Sequence, residues 1–280
     1  IITELENQNL LYKNEIYLHS YPYCWRCDSP LLYYAKFSWY IKTTKFKTLL
    51  LKENEKINWH PSHIKTGRFG EWLKNNVDWA ISRERYWGTP LPIWICKKCK
   101  HEICIDSIKN LTKQASEAAN YKDLDLHRPY IDNISLTCPK CNDVMIRTPE
   151  VLDAWYDSGA MPFAQHNTTS DLELKNLQNS SSFPADYICE AIDQTRGWFY
   201  TLHAISTMLT GSTSFNNVIC LGHILDEKGQ KMSKHIGNVV NPWSILDNQG
   251  ADALRWYLLT ANQPGEPRRF SQSLVNETVR

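Results

Sequence analysis

No apolar run in these 280 residues approaches the roughly 20 residues needed to cross a bilayer, which excludes a helical membrane span. The opening residues, Ile1-Ile2-Thr3-Glu4, have neither the basic start nor the apolar stretch of a secretory signal, so a cytoplasmic location is expected. Excess charge is also missing. Lys and Arg number 31 against 30 Asp and Glu, a net charge of +1, so bulk electrostatics demands no nucleic-acid partner and any RNA contact has to be local. There is no initiating Met: the chain starts in a charged, helix-like run from Glu4 to Glu15 and stops on Thr278-Val279-Arg280, which reads as a piece of a longer chain. Repeats beyond the cysteine knuckles are absent. The Asn-, Ser- and Thr-rich residues 167–182 read as a surface insertion with little core.

What remains is an ordinary globular composition, 42% apolar and 22% charged, long enough for one large domain or two smaller ones. Nine cysteines in a cytosolic-looking chain read as metal ligands before disulfides. Three pairs have C-x-x-C spacing, Cys24 with Cys27, Cys96 with Cys99 and Cys138 with Cys141, and such a turn aims two thiolates at one ion. The second and third pairs are expected to share one zinc in a ribbon over roughly 93–148, with a helix near 107–119. Cys24 and Cys27 then form half of a second site whose other ligands lie upstream. Cys104, Cys189 and Cys220 are expected to be small buried hydrophobes.

Early in the chain, strands are expected over 16–19 and 33–43, then helices over 46–56 and from Gly67. After the insertion the pattern becomes α/β: a strand over 186–189, a helix over 194–209 with Trp198, Leu202, Ile205 and Leu209 inward, and a strand over 218–221. Strand, crossover helix and strand make a right-handed parallel unit, and ligands sit at the carboxyl ends of its strands. That rule places Glu190, Asp193 and Gln194 in one crevice, Asp193 doubling as a helix cap, and Gly222, His223, Ile224 and Leu225 beside them. Next comes Gly229-Gln230-Lys231-Met232-Ser233-Lys234-His235-Ile236-Gly237-Asn238. Two ammonium groups on a glycine-bounded loop are suited to holding a polyphosphate. A helix follows at Asn241-Pro242, and another over 251–260.

The run Lys231-Met232-Ser233-Lys234 resembles the KMSKS signature of class I aminoacyl-tRNA synthetases, with His235 where the last Ser usually stands. The run from Ser82 to Trp94, Ser-Arg-Glu-Arg-Tyr-Trp-Gly-Thr-Pro-Leu-Pro-Ile-Trp, is similar to a signature of the isoleucyl, valyl and leucyl branch of that family. Asp157-Ser158-Gly159-Ala160-Met161-Pro162-Phe163 and Glu190-Ala191-Ile192-Asp193-Gln194-Thr195-Arg196-Gly197-Trp198-Phe199 resemble the isoleucyl pattern, with Ala191 replacing the usual Gly and narrowing the room near the ligand. The likeness covers 21–35, 57–95, 127–165 and 184–260.

The resemblance implies an α/β fold, the C-terminal half of a Rossmann-type parallel-sheet catalytic domain with an inserted zinc-ribbon-like segment. Its divisions would be 1–45, the end of a connective and editing insertion; 46–95, a catalytic segment; 96–148, the ribbon; 149–240, the Rossmann-type half; and 241–280, the start of a helical anticodon-binding region. It implies activation of isoleucine by ATP, as its Mg2+ complex, and transfer of the acyl group to tRNA(Ile) by a monomer that needs no covalent nucleophile. Lys231 and Lys234 would hold the departing phosphates, with Lys234 the more critical. Glu190, Asp193, Gln194, Gly222, His223, Ile224, Leu225 and Ser233 would hold ATP and the adenylate, and Trp155 and Trp198 would wall the isoleucine side chain. An apolar pocket discriminates weakly against one missing methylene, so an editing domain is expected upstream. The HIGH signature, the other half of the ATP site, occurs nowhere; His60-Pro61-Ser62-His63 is not it, and the chain alone is expected not to make adenylate. The alternatives are a valyl relative, or a non-catalytic zinc-ribbon module binding RNA through the aromatic and basic residues 79–87.

Overall fold

The computed structural model describes residues 1–24, 27–116, 124–233 and 236–279. They form two compact units, Ile1–Phe37 and Ser38–Arg280.

In the first unit the helix Ile2–Asn7 buries no side chain. At the first cysteine pair the Cys24 amide donates to the Ser29 carbonyl and the Asp28 amide to the Cys24 carbonyl, each at 2.8 Å. The strand expected over 16–19 does not form, and of 33–43 only Tyr40–Ile41, in the second unit, is a strand. Ile16 and Leu18 are exposed just as Tyr17 is. Alternation specifies a strand only where one face is buried against something, and here neither face is.

The second unit is built on a parallel sheet. Strand Phe215–Leu221 runs between Ala185–Ala191 and Asn58–His60, parallel to both. Its apolar residues Phe215, Val218 and Cys220 are fully buried. The crossover from the first of these strands to the central one is the helix Trp198–Thr210. It begins later than its periodicity predicts, because Ile192–Arg196 winds as a 3-10 turn and Gly197, at φ −143° and ψ −117°, breaks the path into the helix. Nine successive residues of the helix, Phe199 to Thr207, are buried, so more than one face is covered; Leu209, expected inward, is 54% exposed in the last turn.

Helices Lys47–Lys56 and Arg68–Lys74 close the other side of this core. Trp59 sits in the middle, its ring 4.7 Å from Phe69 and 5.7 Å from Phe199, the latter edge-on, and its indole N–H reaches Asn54 Oδ1 at 3.0 Å. Each fully buried aromatic of this kind stabilises by roughly 1.5–3 kcal/mol. His203 is buried in the same core, donating from Nε2 to the Leu50 carbonyl at 2.8 Å.

A separate antiparallel sheet has the order Glu102–Cys104, Ile93–Cys96, Val144–Arg147, Leu136–Thr137. Its core is Trp94, Leu111, Leu136 and Met145, capped by the helix Ile108–Gln114, whose first turn Ser107 caps through the Asn110 amide. Part of the helix expected over 107–119 lies outside the described residues. Residues 167–182 contain more structure than their composition suggests: the helix Asp171–Gln178 buries Leu177 with Phe163, Phe183 and Ile205. At the far end of the chain, helices Pro242–Gln249, Ala251–Thr260 and Gln272–Glu277 enclose Ile245, Tyr257, Phe270 and Val275.

Candidate functional site

The carboxyl ends of the two longer parallel strands lie side by side, with Glu190 opposite Cys220 and Ala191 opposite Leu221. Glu190 and Asp193 are exposed there. The turn between strand and helix is held from inside by Thr195, fully buried, which donates to the Ile192 carbonyl at 2.7 Å and accepts from Arg68 Nε at 2.9 Å. Gln194 is the helix cap: its Oε1 accepts from the Trp198 amide at 3.0 Å, while its Nε2 donates to Asp193 Oδ2 at 3.1 Å. The cap expected of Asp193 is therefore supplied by the next residue, whose longer side chain spans the 3-10 turn.

Gly197 is closely covered by two side chains. A Cβ there would stand 2.7 Å from Gln194 Oε1 and 3.0 Å from the ring of Trp155. Trp155 comes from the helix Ala154–Gly159, which packs on the crossover helix; a Cβ on Gly159 would meet the Thr201 backbone at 2.8 Å. Trp198 donates from Nε1 to the Ser158 carbonyl at 3.1 Å. The two tryptophans are thus fixed next to each other, with Trp155 still 43% exposed.

At the second strand end, the Gly222 amide donates to the Pro264 carbonyl and the Arg268 amide to the His223 carbonyl, both at 2.9 Å. Ile224–Leu225 then pairs in parallel with Arg268–Arg269. A Cβ on Gly222 would fall 2.2 Å from the Glu266 carbonyl oxygen, so only glycine allows this crossing.

The lysine loop leaves from there. Leu225 bridges Lys231, closing a turn in which the Asp226 amide donates to the Gln230 carbonyl at 2.8 Å. Asp226 Oδ1 accepts from the Gln230 amide at 2.7 Å and its Oδ2 from Asn238 Nδ2 at 2.8 Å. Asn238 Oδ1 in turn accepts from the Ser233 amide at 2.8 Å. The Asn238 bond, then the Gln230 amide, hold the Asp226 carboxyl below the usual carboxylate range. Lys231 is exposed on this framework. Lys234 and His235 lie outside the described residues.

The four thiols of Cys96, Cys99, Cys138 and Cys141 all lie within 4.8 Å of one another. The closest pairs are 3.4 Å for Cys96 with Cys141, 3.5 Å for Cys141 with Cys99 and 3.6 Å for Cys99 with Cys138. A tetrahedral zinc with sulfurs at about 2.3 Å spaces them about 3.8 Å apart, so the donor set fits a closed structural ion. Burial opposes ionisation of Cys96, but the Cys99 amide and the Cys141 thiol outweigh it and bring its pKa down to about 6. Cys141 is pushed up to about 12: the Asp143 amide favours its thiolate, but burial and the other three sulfurs oppose it. A dication among them would relieve that conflict.

Residues 2–269 match the family described as tRNA synthetases class I (I, L, M and V). The chain belongs to that family. All 280 residues of this class I synthetase chain are 55% identical to the isoleucine–tRNA ligase of Dehalococcoides mccartyi strain CBDB1 and 55% identical to that of Thermus thermophilus. It spans 28% of the length of the first relative and 26% of the second. Among solved structures, a Mycobacterium tuberculosis methionyl-tRNA synthetase in complex with methionyl-adenylate aligns at TM-score 0.57 and 16% identity, over 92% of this chain and 40% of that one. A leucyl synthetase (LeuRS) of Agrobacterium radiobacter K84, in a ternary complex with tRNA and LeuAMS, aligns at TM-score 0.53 and 21% identity, over 78% and 30%. The mixed α/β fold with a parallel sheet is that of class I synthetase catalytic domains.

Within this synthetase chain Glu190 and Gly222 fall at neighbouring strand ends, and several residues that hold the surrounding turns were not singled out from the sequence. Arg68, Thr195, Asp226, Asn238 and the crossing segment 264–269 belong to that group. The Asp-x-x-Gly turn at Asp226 and Gly229 is the one local signal of the loop's geometry. Cys24 and Cys27 gain no third ligand: among the described residues the four-thiol cluster is the one group of three or more candidate ligands. Of the single cysteines, Cys220 is buried as expected, whereas Cys104 and Cys189 are exposed. Cys104 ends an edge strand, and Cys189 follows the inward Ile188 onto the opposite face. Among the described residues no helix is long and apolar enough to cross a membrane.

Proposed function

We propose that this chain contributes the second half of the adenylate site of an isoleucine–tRNA ligase, which uses ATP to join isoleucine to tRNA(Ile). The observation that carries the reading is that Ala185–Ala191 and Phe215–Leu221 end side by side, and that Leu225, just beyond the second, bridges Lys231 of the lysine loop. Identity over the full chain to isoleucine–tRNA ligases favours isoleucine as the amino acid.

In this reading the substrate carboxylate attacks the α-phosphate of Mg2+-bound ATP, pyrophosphate leaves, and the terminal hydroxyl of the tRNA then takes the acyl group. No side chain forms a bond to the substrate. The chain's contribution is positioning and charge compensation. Lys231 and Lys234 hold the phosphates that depart. Glu190 and Asp193 present acceptors to ribose hydroxyls or the amino group, and Gln194 fixes the turn that carries them. Gly222, His223, Ile224 and Leu225 offer backbone groups to adenine, and Ser233 borders the phosphates. Trp155 and Trp198 wall the isoleucine side chain.

One zinc on Cys96, Cys99, Cys138 and Cys141 would hold the ribbon closed, and Cys24 with Cys27 would be half of a second site. The divisions 1–45, 46–95, 96–148, 149–240 and 241–280 complete the proposal, together with a cytoplasmic monomer.

The test is amino-acid-dependent ATP–pyrophosphate exchange by the full-length ligase that contains this sequence. Exchange driven best by isoleucine and lost in Lys234→Ala supports the reading. A preference for valine moves the assignment to the valyl enzyme, and no exchange with any amino acid overturns it.

A further inference from the structure

The helix Ala154–Gly159 carries Trp155, and at six residues it is too short to hold its own position. Its neighbours set where it stands. At its far end Gly159 lies against Thr201, and the Ser158 carbonyl accepts from the indole of Trp198 at 3.1 Å. At its start is Asp153, 6% exposed, whose Oδ1 accepts from the Trp155 amide at 3.3 Å and whose backbone carbonyl accepts from the Tyr156 amide at 2.8 Å. Both tryptophans of the candidate pocket are therefore tied to this one short helix.

A helix cap needs one carboxylate oxygen, and Asp153 uses both. Its Oδ2 accepts from Arg83 Nη2 at 2.7 Å and from Trp79 Nε1 at 3.3 Å, residues 70 and 74 positions earlier in the chain. The Arg83 guanidinium is fastened in turn, because Nη1 donates to the Ala80 and Ser82 carbonyls, both at 2.9 Å. Pairing of Ser82 with Leu152 and of Arg83 with Val151 brings the two segments together immediately before the helix. A planar guanidinium bonded on both sides fixes the direction of its carboxylate, which an ammonium on a flexible stem does not. The ion pair is thus a second anchor at the start of the helix, beside the cap, and Trp155 stands two residues beyond it.

We propose that Arg83 and Asp153 are positioning residues for the amino-acid pocket: their ion pair sets how closely Trp155 stands over Gly197 beside Trp198, and through that how well the pocket separates isoleucine from a side chain one methylene shorter. Only 3.0 Å separates the Trp155 ring from the point a Cβ on Gly197 would occupy, so any outward swing of the helix opens a gap at that wall. A gap of about 0.5–1 Å forfeits roughly a quarter to a half of the dispersion energy of the atoms that face it. Isoleucine, with more atoms against the wall, loses more than valine. Neither Arg83 nor Asp153 touches the substrate; both act through Trp155. The inference rests on the assignment of Trp155 and Trp198 to the isoleucine side chain and deepens it.

The test is ATP–pyrophosphate exchange by the full-length ligase that contains this sequence, with isoleucine and with valine, in three variants. Asp153→Ser keeps a capping oxygen but is too short to reach Arg83; Arg83→Met keeps bulk and leaves the cap alone; Arg83→Lys keeps the charge. The first two are expected to raise the KM for isoleucine about 5- to 20-fold, to raise that for valine less, and to leave the KM for ATP within about twofold. The preference for isoleucine should fall accordingly, and Arg83→Lys should recover part of it. If Asp153→Ser melts early, Arg83→Met reads the same loss. Wild-type KM for isoleucine and wild-type preference over valine in Arg83→Met overturn the proposal, whatever its melting temperature, because a pair that only stabilises the fold changes neither. An equal rise in the KM for ATP also overturns it, since the damage then reaches the strand ends. Failure of the wild type to exchange with any amino acid defeats the assignment of the pocket instead, and amide hydrogen exchange at Trp155 and Tyr156 still reads the anchor: it should speed up in Arg83→Met, and unchanged rates there overturn the anchor itself.

Discussion

Asn238 joins the two ends of the lysine loop: it donates to Asp226 Oδ2 at 2.8 Å and accepts from the Ser233 amide at 2.8 Å. A loop proposed to grip a polyphosphate needs its backbone held while its side chains reach outward, and this pair holds the backbone without using the Lys231 ammonium.

Asp226→Ala or Asn238→Ala should therefore act on the loop and not on the core. Amide hydrogen exchange at Gln230 and Ser233 is expected to speed up while the melting temperature stays within a degree or two. In the full-length ligase the KM for ATP should rise several-fold, with a smaller effect on the KM for isoleucine. Unchanged exchange at those two amides would rule out the latch.

His203 sets an acid limit on stability. Burial takes its pKa down from 6.5 to about 4, against the partial support of the Leu50 carbonyl. The unfolded chain then binds a proton that the folded core refuses, so stability is complete above pH 6.5 and falls as the pH drops towards 4. At about 1.4 kcal/mol per pKa unit, the loss between pH 7.5 and 5 is about 2 kcal/mol. Urea melts at the two pH values should show it, and His203→Gln should reduce the difference; an equal acid loss in that variant would place the titration elsewhere.

Removal of metal should unfold the ribbon and leave the parallel sheet. Chelation is expected to release one zinc per chain, measured by a colorimetric indicator, and to expose Trp94, whose indole bonds the Ile134 carbonyl at 2.8 Å. Cys138→Ser should bind that zinc far more weakly. Full retention of zinc by the variant would show that these four sulfurs are not its ligands.

Gly159→Ala forces a Cβ to within 2.8 Å of the Thr201 backbone and side chain. The helix Ala154–Gly159 has to move away from Trp198–Thr210, which should cost roughly 1–3 kcal/mol in thermal or urea unfolding. The same shift pulls Trp155 from Gly197, so the KM for isoleucine in the full-length ligase should rise with it. A variant as stable as the wild type would mean the two helices have more slack than their contact shows.

The parallel unit was legible in the sequence because each element is long enough to carry a pattern and is followed by a glycine or a cap: Cys189 and Cys220 sit in paired strands, Asn241 caps the helix after Pro242, and the C-x-x-C turns bring their thiols together. What stayed hidden is relational. Gln194 caps the crossover helix only because a 3-10 turn precedes it, and nothing in the Gln-Thr-Arg-Gly run specifies that turn. Asp226 and Asn238 are twelve residues apart, and only the folded loop shows them bonded. The strand expected over 16–19 failed for the opposite reason, a clear alternation without a surface to bury it against, and of 33–43 only Tyr40–Ile41, which pairs with Trp79–Ala80, became one.

The segment that carries the four-stranded antiparallel sheet leaves and rejoins the chain through a narrow neck. Ser82 pairs with Leu152 and Arg83 with Val151, and the Leu152 amide donates to the Thr89 carbonyl at 2.7 Å. Its two ends therefore leave and return at one place, and everything between them is a side loop in the covalent path. Closing a loop costs only a logarithm of its length, about 0.6 kcal/mol for each doubling. Cys99 and Cys138 stand 39 positions apart, and an ion between them pins that loop a second time near its middle. The neck leaves the length of the insertion free to drift over evolutionary time, while the register of the parallel sheet stays where it is.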